Sequence, residues 1–500
     1  MYITVLQDNK ETLGDLYNYK FKYFLSENDK DKVNEKPKLD IQVDIGNLPI
    51  SISGSEANAV LEPKGHSSSS ASQKSFKVTL DEKSGKWKGQ KIINLSKSPY
   101  DMSRIRNKLA FDLFKTIPNM FSLRTQFFHL YIKDLSGSSK QFIDYGLFTQ
   151  VEQPNETYIK NHGLAQQGYL YKAEFFEFNR DDERIKNVDD PSYNKIEFEK
   201  VLKIRGIEDH SLLIGMLDDV NNYSLNINDV IKKHFDRENY LTWLAVNILT
   251  GNWDTNSQNF LLFSPITAER WYFIPWDYDG AFGYESQPHE QELYAPWQTQ
   301  PLSNYWGVKL HKRFISDSNN LKDLTQELEE VSKYMSEEKV KSLVSKYYSQ
   351  TSSIIKTLPD LNFIPSTLEN YEKEIKRLPS VIETNKKRFY ENIDTPMPIF
   401  LGIPEVQGNK TVFKWEESYD LKGNDLFYNF SLSTDPDFKN VVFNKDSLKD
   451  MTITVENLAK GKYYWKVDIY NSKNKHQIAF DLYHIVSGKS YYGEKELIIN

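Results

Sequence analysis

Cysteine is absent from the 500 residues of this chain. A chain without cysteine forms no disulfide, no thiolate zinc site and no cysteine nucleophile, so three common kinds of site are excluded. The absence leaves the compartment open, because it is compatible with the cytosol and with export from a bacterium that rarely uses disulfides.

Long apolar runs and histidine motifs are also missing. No run approaches the roughly 20 apolar residues that span a bilayer, and Met1–Lys10 has neither the basic nor the apolar region of a signal peptide. We therefore expect no transmembrane segment and no signal peptide in this sequence. The nine histidines form no H-E-x-x-H or similar spacing, so a zinc hydrolase is not expected.

Positive charge is not in excess. Lys and Arg number 63 against 70 Asp and Glu, which gives a net charge of −7. A general nucleic-acid binder needs a basic face to neutralise phosphates, so no nucleic-acid partner is expected. An acidic total is still compatible with a local basic cleft for ATP.

The chain has ample length and clear changes of pattern. Five hundred residues suggest about two to four domains. Alternating apolar residues up to about residue 180 predict a β-rich first part, and residues from about 190 to 395 follow helical spacing. A proline-punctuated linker at 394–398 precedes short alternating strands. We therefore expect an α+β protein with a β-rich N-lobe and a helical C-lobe over 1–395, and a small β-sandwich over 396–500.

Three long elements are predicted around the middle of the chain: a strand Tyr169–Phe178, a helix Lys195–Arg205 and a helix Leu368–Asn392. In the last part, Leu458 is followed six residues later by Tyr464, which resembles the tyrosine corner of fibronectin type III-like sandwiches. Trp415 would be the core tryptophan of such a domain. We see no catalytic residues there and expect a spacer or adhesive role.

The stretch Leu249–Gly283 carries the strongest chemical signal. Two apolar runs, Phe260–Phe263 and Trp271–Ile274, flank a polar turn and predict a hairpin. In that hairpin Phe260 lies roughly opposite Ile274.

The predicted hairpin brings polar side chains together at one end. Asn259 and Asp277 would lie side by side, with Asp254 just before the first strand and Asp279 just after Asp277. Carboxylate and carboxamide oxygens gathered at one point suit Mg²⁺ that carries phosphates. The alternative is a surface hairpin in which Asp and Asn serve only as turn formers.

A second candidate binding element is a loop of small residues between two predicted strands. Gly65 and the tract Ser67–Ser70 lie between the strands Ala59–Leu61 and Gln73–Leu80. Strand, small-residue loop and strand form a kinase-like nucleotide lid, with a lysine on a following strand reaching the phosphates. Because this loop is rich in serine rather than glycine, a flexible serine hairpin is the alternative interpretation.

Five motifs follow one another in the first 280 residues. They are K-S-F-K at Lys74–Lys77, D-M-S-R-I-R-N-K-L at Asp101–Leu109, Y-G-L with a later Glu at Tyr145–Glu152, N-W-D-T-N-S-Q-N at Asn252–Asn259, and I-P-W-D-Y-D at Ile274–Asp279. Together they resemble the motifs of the spore-coat protein H (CotH) kinase-like family, atypical kinases found on spores and in secreted bacterial proteins. The resemblance covers nearly all of residues 1–395. One departure is that the lid lacks the arginines often found in the family.

The resemblance implies a catalytic role for the hairpin. Asp254 would accept the proton of the acceptor hydroxyl. Asn259 and Asp277 would hold Mg²⁺, and Asp279 is a further metal-binding candidate.

The resemblance also implies an ATP-binding set. Lys74 would reach the α- and β-phosphates with Glu152 as its partner, and Lys77 is the alternative to Lys74. Gly65 in the lid and Lys172 near the cleft are the remaining ATP-binding candidates.

Three functions are compatible with these residues. The resemblance implies a kinase that transfers the γ-phosphoryl group of ATP to Ser or Thr of a protein, itself included, with Mg²⁺ or alternatively Mn²⁺ or Ca²⁺. The expected substrate is a spore-coat or surface protein, and the expected place is the spore coat, the cell surface or outside the cell. The alternatives are a non-catalytic coat or surface protein on a kinase scaffold, and ATP-dependent transfer of AMP or ligation of an amino acid. The sequence does not fix the oligomeric state.

Overall fold

The computed structural model describes residues 1–19, 36–46, 56–65, 67–137, 140–164, 167–287, 294–484 and 489–500. They form a mixed α and β structure with a β-rich N-terminal part, a helical middle and a C-terminal region of β-sheets. None of the helices in these ranges is long and apolar enough to cross a bilayer.

The N-terminal part contains strands that pair edge to edge. Those of the described residues are β1 (Tyr2–Val5), β2 (Leu39–Asp44), β3 (Ala59–Lys64), β4 (Ser75–Leu80), β5 (Ile92–Ser96), β6 (Thr125–Asp134) and β7 (Ile143–Val151). They close into a barrel in the order β1-β2-β3-β4-β5-β7-β6, and parallel pairing of β1 with β6 completes the ring. A closed ring leaves no open edge along these strands.

Buried apolar residues alternate with outward-facing residues along strands such as β2, which explains how the barrel forms a core. In β2, Leu39, Ile41 and Val43 are fully buried and the residues between them face outward. A period of two sends every second side chain to the same face. The apolar faces of the strands therefore meet inside the barrel and form its core.

A second sheet and most of the helices follow the barrel, whereas α1 and α2 lie between barrel strands. The helices of the described residues are α1 (Leu13–Asn18), α2 (Arg106–Phe114), α3 (Glu156–Asn161), α4 (Lys195–Phe198), α5 (Ser211–Asn221), α6 (Ile227–His234), α7 (Arg237–Thr250), α8 (Pro301–Trp306), α9 (Lys309–Ile315), α10 (Ser318–Tyr334), α11 (Glu337–Ile355), α12 (Leu368–Arg377) and α13 (Val381–Ile393). The strands are β8 (Gly168–Ala173), β9 (Leu202–Ile204), β10 (Phe260–Pro265) and β11 (Tyr272–Pro275), in the order β11-β10-β8-β9.

Three predicted elements are shorter in the structure than expected. The strand Tyr169–Phe178 ends at Ala173. The helix Lys195–Arg205 is wrong beyond its first turn, because the chain turns into β9 and pairs with β8. The helix Leu368–Asn392 is interrupted by a 3₁₀ turn at Leu378–Ser380, where proline cannot donate a backbone hydrogen bond.

The C-terminal region consists of short sheets. Its strands among the described residues are β12 (Glu405–Gln407), β13 (Lys410–Lys414), β14 (Leu426–Ser433), β15 (Val441–Leu448), β16 (Thr452–Glu456), β17 (Gly461–Asn471), β18 (His476–Gln477), β19 (Leu482–His484), β20 (Ser490–Tyr492) and β21 (Glu494–Ile499). Side chains from the sheet β12-β13-β16 and from the sheet built on β14 and β17 share one apolar cluster. Trp415 is buried in that cluster, as predicted.

The predicted tyrosine corner is displaced by one residue. The hydroxyl of Tyr463 donates to the carbonyl of Ala459 at 2.9 Å. Tyr464, the next residue of β17, points to the opposite face of the sheet, and its hydroxyl lies 3.4 Å from that of Tyr483. Neighbouring residues of a strand point to opposite faces, so only one of the two tyrosines can make the corner contact.

A buried ion pair joins the barrel to the helical part. Asp360 lies 2.6 Å from the ammonium of Lys97 at the end of β5, and the two side chains are 3% and 2% exposed. The carboxylate also accepts from the backbone N–H of Leu147 at 2.6 Å and from the Gln73 amide at 3.0 Å. Gln73 in turn accepts from Arg104 at 3.1 Å. This network fixes the residues that lead into β4.

Candidate active site

The helix α7 delivers the chain to Asp254. It ends at Gly251, whose φ of 60° lets the backbone turn, and a 3₁₀ turn Trp253–Thr255 follows. Tyr305 of α8 holds this turn, because its hydroxyl donates to the carbonyl of Asn252 at 3.1 Å and contacts Thr255 Oγ1 at 2.7 Å.

Asp254 and Asn259 are in direct contact. The Asn259 amide donates to Asp254 Oδ2 at 2.7 Å and to the Asp254 carbonyl at 3.2 Å. The Gln258 amide donates to the other carboxylate oxygen. The segment from Asp254 to Asn259 therefore folds back on itself, and the amides of Asn259 and Gln258 orient the Asp254 carboxylate.

The hairpin β10–β11 forms as predicted, with a register that differs by one residue. Phe260 pairs with Pro275 and Leu261 pairs with Ile274. One further hydrogen bond, from the N–H of Trp276 to the carbonyl of Asn259 at 3.1 Å, extends the ladder. Asp277 follows directly, so the hairpin brings it to the same end as Asn259.

Asp277 is held by a residue that the sequence did not single out. Asn107 of α2 accepts from the N–H of Tyr278 at 3.1 Å and donates to Asp277 Oδ1 at 3.4 Å. Its signal in the sequence is its place inside the motif at Asp101–Leu109. Asp277 and Asn259 have φ of 58° and 57°, a backbone region that costs energy and is concentrated at functional sites.

The carboxylate of Asp279 interacts with the same cluster. Asp277 is not in extended conformation, so alternation does not place the two side chains on one side. Burial, and then the charge of Asp277, raise the pKa of Asp279 to about 8. Burial raises the pKa of Asp254 to about 7, and Asp277 adds to this rise.

The donor set of this cluster fits a hard divalent cation. Asn259, Asp277 and Asp279 present oxygen atoms, and each side chain keeps part of its surface accessible. Among the described residues no three His, Cys, Asp or Glu side chains form a metal-binding group. Mg²⁺ is typically held by one or two carboxylates together with substrate phosphates and water. The residues present therefore suit Mg²⁺ that is shared with a nucleotide.

Lys64, which the sequence did not predict, is a lysine that interacts electrostatically with Asp277 and Asp279. It is the last residue of β3, and its ammonium lies 3.3 Å from Ser96 Oγ and 5.3 Å from the ring centroid of Trp276. Burial lowers the pKa of Lys64, whereas the charges of Asp277 and Asp279 raise it. Lys64 forms no ion pair with any residue that the structure describes. Its signal in the sequence is its position immediately before Gly65.

The expected contact between Lys74 and Glu152 is wrong. The strand register places Lys77, Asn94 and Val151 at one level. Lys74 precedes Lys77 by three residues and Glu152 follows Val151 by one, so the two are separated by four residue positions, or about 13 Å, along the strands. The ammonium of Lys74 donates to the carbonyl of Ser69. Glu152 accepts from the N–H of Arg124 at 2.9 Å and lies 3.0 Å from His162.

The structure defines the contacts of the remaining ATP-binding candidates, Gly65, Lys77 and Lys172. Gly65 has a φ of 100°, and a Cβ there would lie 2.0 Å from Ser68 Oγ, so the turn requires glycine. Lys77 pairs with Glu62 at 2.5 Å on the outside of the barrel. Lys172 pairs with Glu174 at 2.5 Å, yet its charge still lowers the pKa of Asp254.

Arg106 and Lys108, two basic residues of the motif at Asp101–Leu109, both form ion pairs within the chain. Arg106 is fully buried, pairs with Asp101 and Glu374, and donates to the carbonyl of Ala281 at 2.8 Å. It therefore supports the loop that follows Asp279. Lys108 pairs with Asp112 at 2.8 Å.

Comparisons with known proteins agree with the motifs. Residues 61–389 match the family model described as CotH kinase protein. Inner spore coat protein H of Bacillus subtilis (strain 168) is 26% identical over 201 residues, which are 39% of this chain and 51% of that protein. The chain thus spans about half the length of this curated relative.

A solved structure is also similar. The crystal structure of a Helicobacter pylori proinflammatory kinase, CtkA, matches 63% of this chain and 94% of its own, with 12% identity and a TM-score of 0.28. A TM-score this low carries no inference, so the assignment rests on the family model. That model covers well over half of the residues and includes Asp254, Asn259, Asp277 and Asp279, and this chain belongs to the CotH kinase protein family.

Proposed function

We propose that this chain is a protein kinase that binds Mg²⁺–ATP between the barrel and the helical part. It transfers the γ-phosphoryl group to a Ser or Thr hydroxyl of a protein, itself included. The observation that carries the proposal is the gathering of Asp254, Asn259, Asp277 and Asp279 into one acidic cluster from two separate segments. A family of kinases supplies the context.

Asp254 is the proposed proton acceptor. The hydroxyl oxygen of the protein attacks the γ-phosphorus, the bond to the β–γ bridging oxygen breaks, and ADP leaves. The hydroxyl proton passes to Asp254, which Asn259 and Gln258 orient. A base whose pKa is raised to about 7 is well matched to proton transfer near neutral pH.

Asn259, Asp277 and Asp279 are the proposed metal ligands. Mg²⁺ bound there neutralises negative charge on the transferred phosphoryl group. Mn²⁺ and Ca²⁺ have the same preference for oxygen and are the alternatives.

Lys64 is the first candidate for contact with the phosphates, because it faces the two aspartates without an ion-pair partner among the described residues. Lys172 and the backbone of Gly65 are further ATP-binding candidates. Lys74 stays a candidate from the family motif, whereas Glu152 lies too far from it along the strands to be its partner.

The domain layout completes the proposal. The barrel and its surroundings, about residues 1–180, form an N-lobe, and about residues 190–395 form a helical C-lobe with the ATP cleft between them. Residues 396–500 form a fibronectin type III-like sandwich that serves as a spacer or docking module. The shared apolar cluster and the Tyr463 contact support this assignment.

The proposed substrate is a spore-coat or surface protein, and the proposed place of action is the spore coat or the cell surface. The support is the name of the Bacillus subtilis relative, inner spore coat protein H.

Labelled phosphate transfer tests the proposal. The full chain is incubated with γ-labelled ATP and Mg²⁺ beside Asp254→Asn, Asp277→Asn and Asp218→Asn. We expect a loss of roughly 10²–10⁴-fold for Asp254→Asn, as for removal of a general base, and a large loss for Asp277→Asn. Asp218 is the matched control, because it is an exposed carboxylate paired with Arg180.

Two outcomes would contradict the proposal. Undiminished label in Asp254→Asn would refute the role of that residue. No label, together with no thermal shift on adding Mg²⁺–ATP, would favour the non-catalytic coat protein. Mass spectrometry of the product separates phosphate from AMP or an added amino acid by the mass that the target gains.

A further inference from the structure

The short helix α8 contacts both the turn that carries Asp254 and the C-terminal region. It has only six residues, Pro301–Trp306. A helix of this length is marginal on its own, so contacts with neighbouring elements decide where it lies. Any element that fixes α8 therefore also affects the position of the turn.

The second half of α8 holds the turn that carries Asp254. The Asn304 amide donates to the carbonyl of Trp253 at 3.0 Å. The Tyr305 hydroxyl lies 2.7 Å from Thr255 Oγ1. Two consecutive residues of α8 thus hold the residues before and after Asp254. A shift of α8 would move the proposed proton acceptor.

Gln477 of β18 contacts the start of α8. Its amide donates to Gln300 Oε1 at 2.5 Å and to Ser303 Oγ at 3.2 Å, and the side chain is 3% exposed. Asn392 of α13 caps the same end, because its Oδ1 accepts from the N–H groups of Leu302 and Ser303 at 2.8 and 3.0 Å. The first N–H groups of a helix need such partners from outside it. The start of α8 is therefore fixed by other elements, Gln477 of the C-terminal region included.

Aromatic side chains of the C-terminal region contact the two ends of the same segment. Tyr419 stacks on Trp306, the last residue of α8, with ring centroids 5.5 Å apart. Phe480 packs edge to face against Trp297 at 5.0 Å. A Cβ placed on Gly307 would lie 3.6 Å from the Phe480 ring. The C-terminal region thus contacts the segment before, at and after α8.

The contacts on the two sides of α8 involve adjacent residues. Ser303, which accepts from Gln477, directly precedes Asn304, which holds Trp253. We propose that the C-terminal region positions the Asp254 turn for phosphoryl transfer, with Gln477 as a positioning residue that acts through α8. This inference rests on the proposed kinase function and goes beyond the spacer or docking role of the C-terminal region.

Steady-state kinetics of the full chain test the role of Gln477. Label from γ-labelled ATP with Mg²⁺ is measured on the chain itself and on dephosphorylated casein as the acceptor protein. Gln477→Met keeps the length of the side chain and removes its hydrogen bonds to α8. We expect kcat to fall roughly 10–100-fold, because a displacement of about 1 Å in a reacting group costs about 100-fold in rate.

The KM for Mg²⁺–ATP separates positioning from loss of binding. Lys64, Asp277 and Asp279 form no hydrogen bond or ion pair with α8 among the residues that the structure describes. Gln477→Met should therefore change this KM by less than about threefold, as expected when an interaction that acts only on the chemical step is lost.

A second variant and two controls exclude a general effect on folding. Tyr419→Ala removes the ring from Trp306 at a residue that is 42% exposed, so the fold should persist while kcat falls by at least about threefold. Tyr419→Phe keeps the ring and should keep kcat. Ser433→Ala is the matched control for Gln477→Met. Ser433 is fully buried in the C-terminal region and its hydroxyl bonds only to its own loop among the described residues, so this variant should lower the melting temperature but keep kcat.

The outcomes are distinguishable. An unchanged kcat in Gln477→Met, or in Tyr419→Ala should Gln477→Met not fold, would overturn this inference. A fall in kcat that Ser433→Ala shares would also overturn it, because the stability of the C-terminal region would then explain the effect. Absence of label on the unaltered chain and on casein would instead refute the proposed kinase function.

Discussion

Removing the carboxylate of Asp360 should destabilise the chain strongly. The substitution Asp360→Ala leaves the ammonium of Lys97 without its partner at a site where that side chain is 2% exposed. It also leaves the N–H of Leu147 and the amide of Gln73 without their acceptor. Breaking a buried ion pair by removing one partner costs about 3–5 kcal/mol in the free energy of unfolding. The whole stability of a typical domain is only about 5–15 kcal/mol.

Replacing both Lys97 and Asp360 should destabilise the chain less than removing Asp360 alone. Burial lowers the pKa of Lys97 to about 8 even though Asp360 opposes the shift, so desolvation outweighs the attraction between the two charges. Exchange of a buried pair for apolar residues of similar volume is often neutral or stabilising. We therefore expect Lys97→Met/Asp360→Leu to be clearly more stable than Asp360→Ala.

Urea denaturation at pH 7, followed by circular dichroism, measures these differences. The control is Asp218→Ala, which removes an exposed partner of Arg180 and should change the free energy of unfolding by less than about 1 kcal/mol. An Asp360→Ala variant as stable as the control would refute this account of the ion pair. So would a double variant no more stable than the single one.

Three further predictions concern the site and the core. Lys64→Met should weaken Mg²⁺–ATP affinity by about 2–5 kcal/mol as measured by thermal shift or calorimetry, and a larger effect of Lys74→Met would contradict the assignment of Lys64. Asn107→Leu should raise the activation free energy of phosphate transfer by about 1–3 kcal/mol, because it removes both hydrogen bonds that hold the Asp277 loop. An unchanged kcat would contradict this prediction. Burial lowers the pKa of His311 from 6.5 to about 3, so the unfolded chain binds the extra proton below pH 6.5 and stability falls as the pH decreases. The loss at pH 5 is about 2 kcal/mol, and His311→Gln should show a correspondingly smaller difference between pH 7 and pH 5 in urea denaturation.

Local patterns in the sequence were sufficient for most of the elements. Strand alternation predicted a β-rich first part and the strand over 73–80, since every second residue must be apolar to fill a core, whereas β5 at Ile92–Ser96 was not predicted. The hairpin was predictable because a short turn fixes the register of two antiparallel strands, and a fixed register brings Asn259 and Asp277 together. The predicted helix over 195–205 is wrong beyond its first turn, because β9 pairs with β8. This contact between separate segments overrides the local helical pattern.

Contacts between distant segments decided the rest. The identity of the lysine that faces Asp277 and Asp279 depends on how β3 and β4 pair within the closed barrel, and a shift of a few residues would exchange Lys64 for another residue. The support of Asp277 by Asn107 joins residues 170 positions apart.

The sequence by itself determined the hairpin that brings Asn259 and Asp277 to one end, because alternation and turn residues are local signals. The tertiary structure alone decided which cation faces the carboxylates and that Asn107 supports the Asp277 loop, because these contacts depend on packing between elements far apart in the chain.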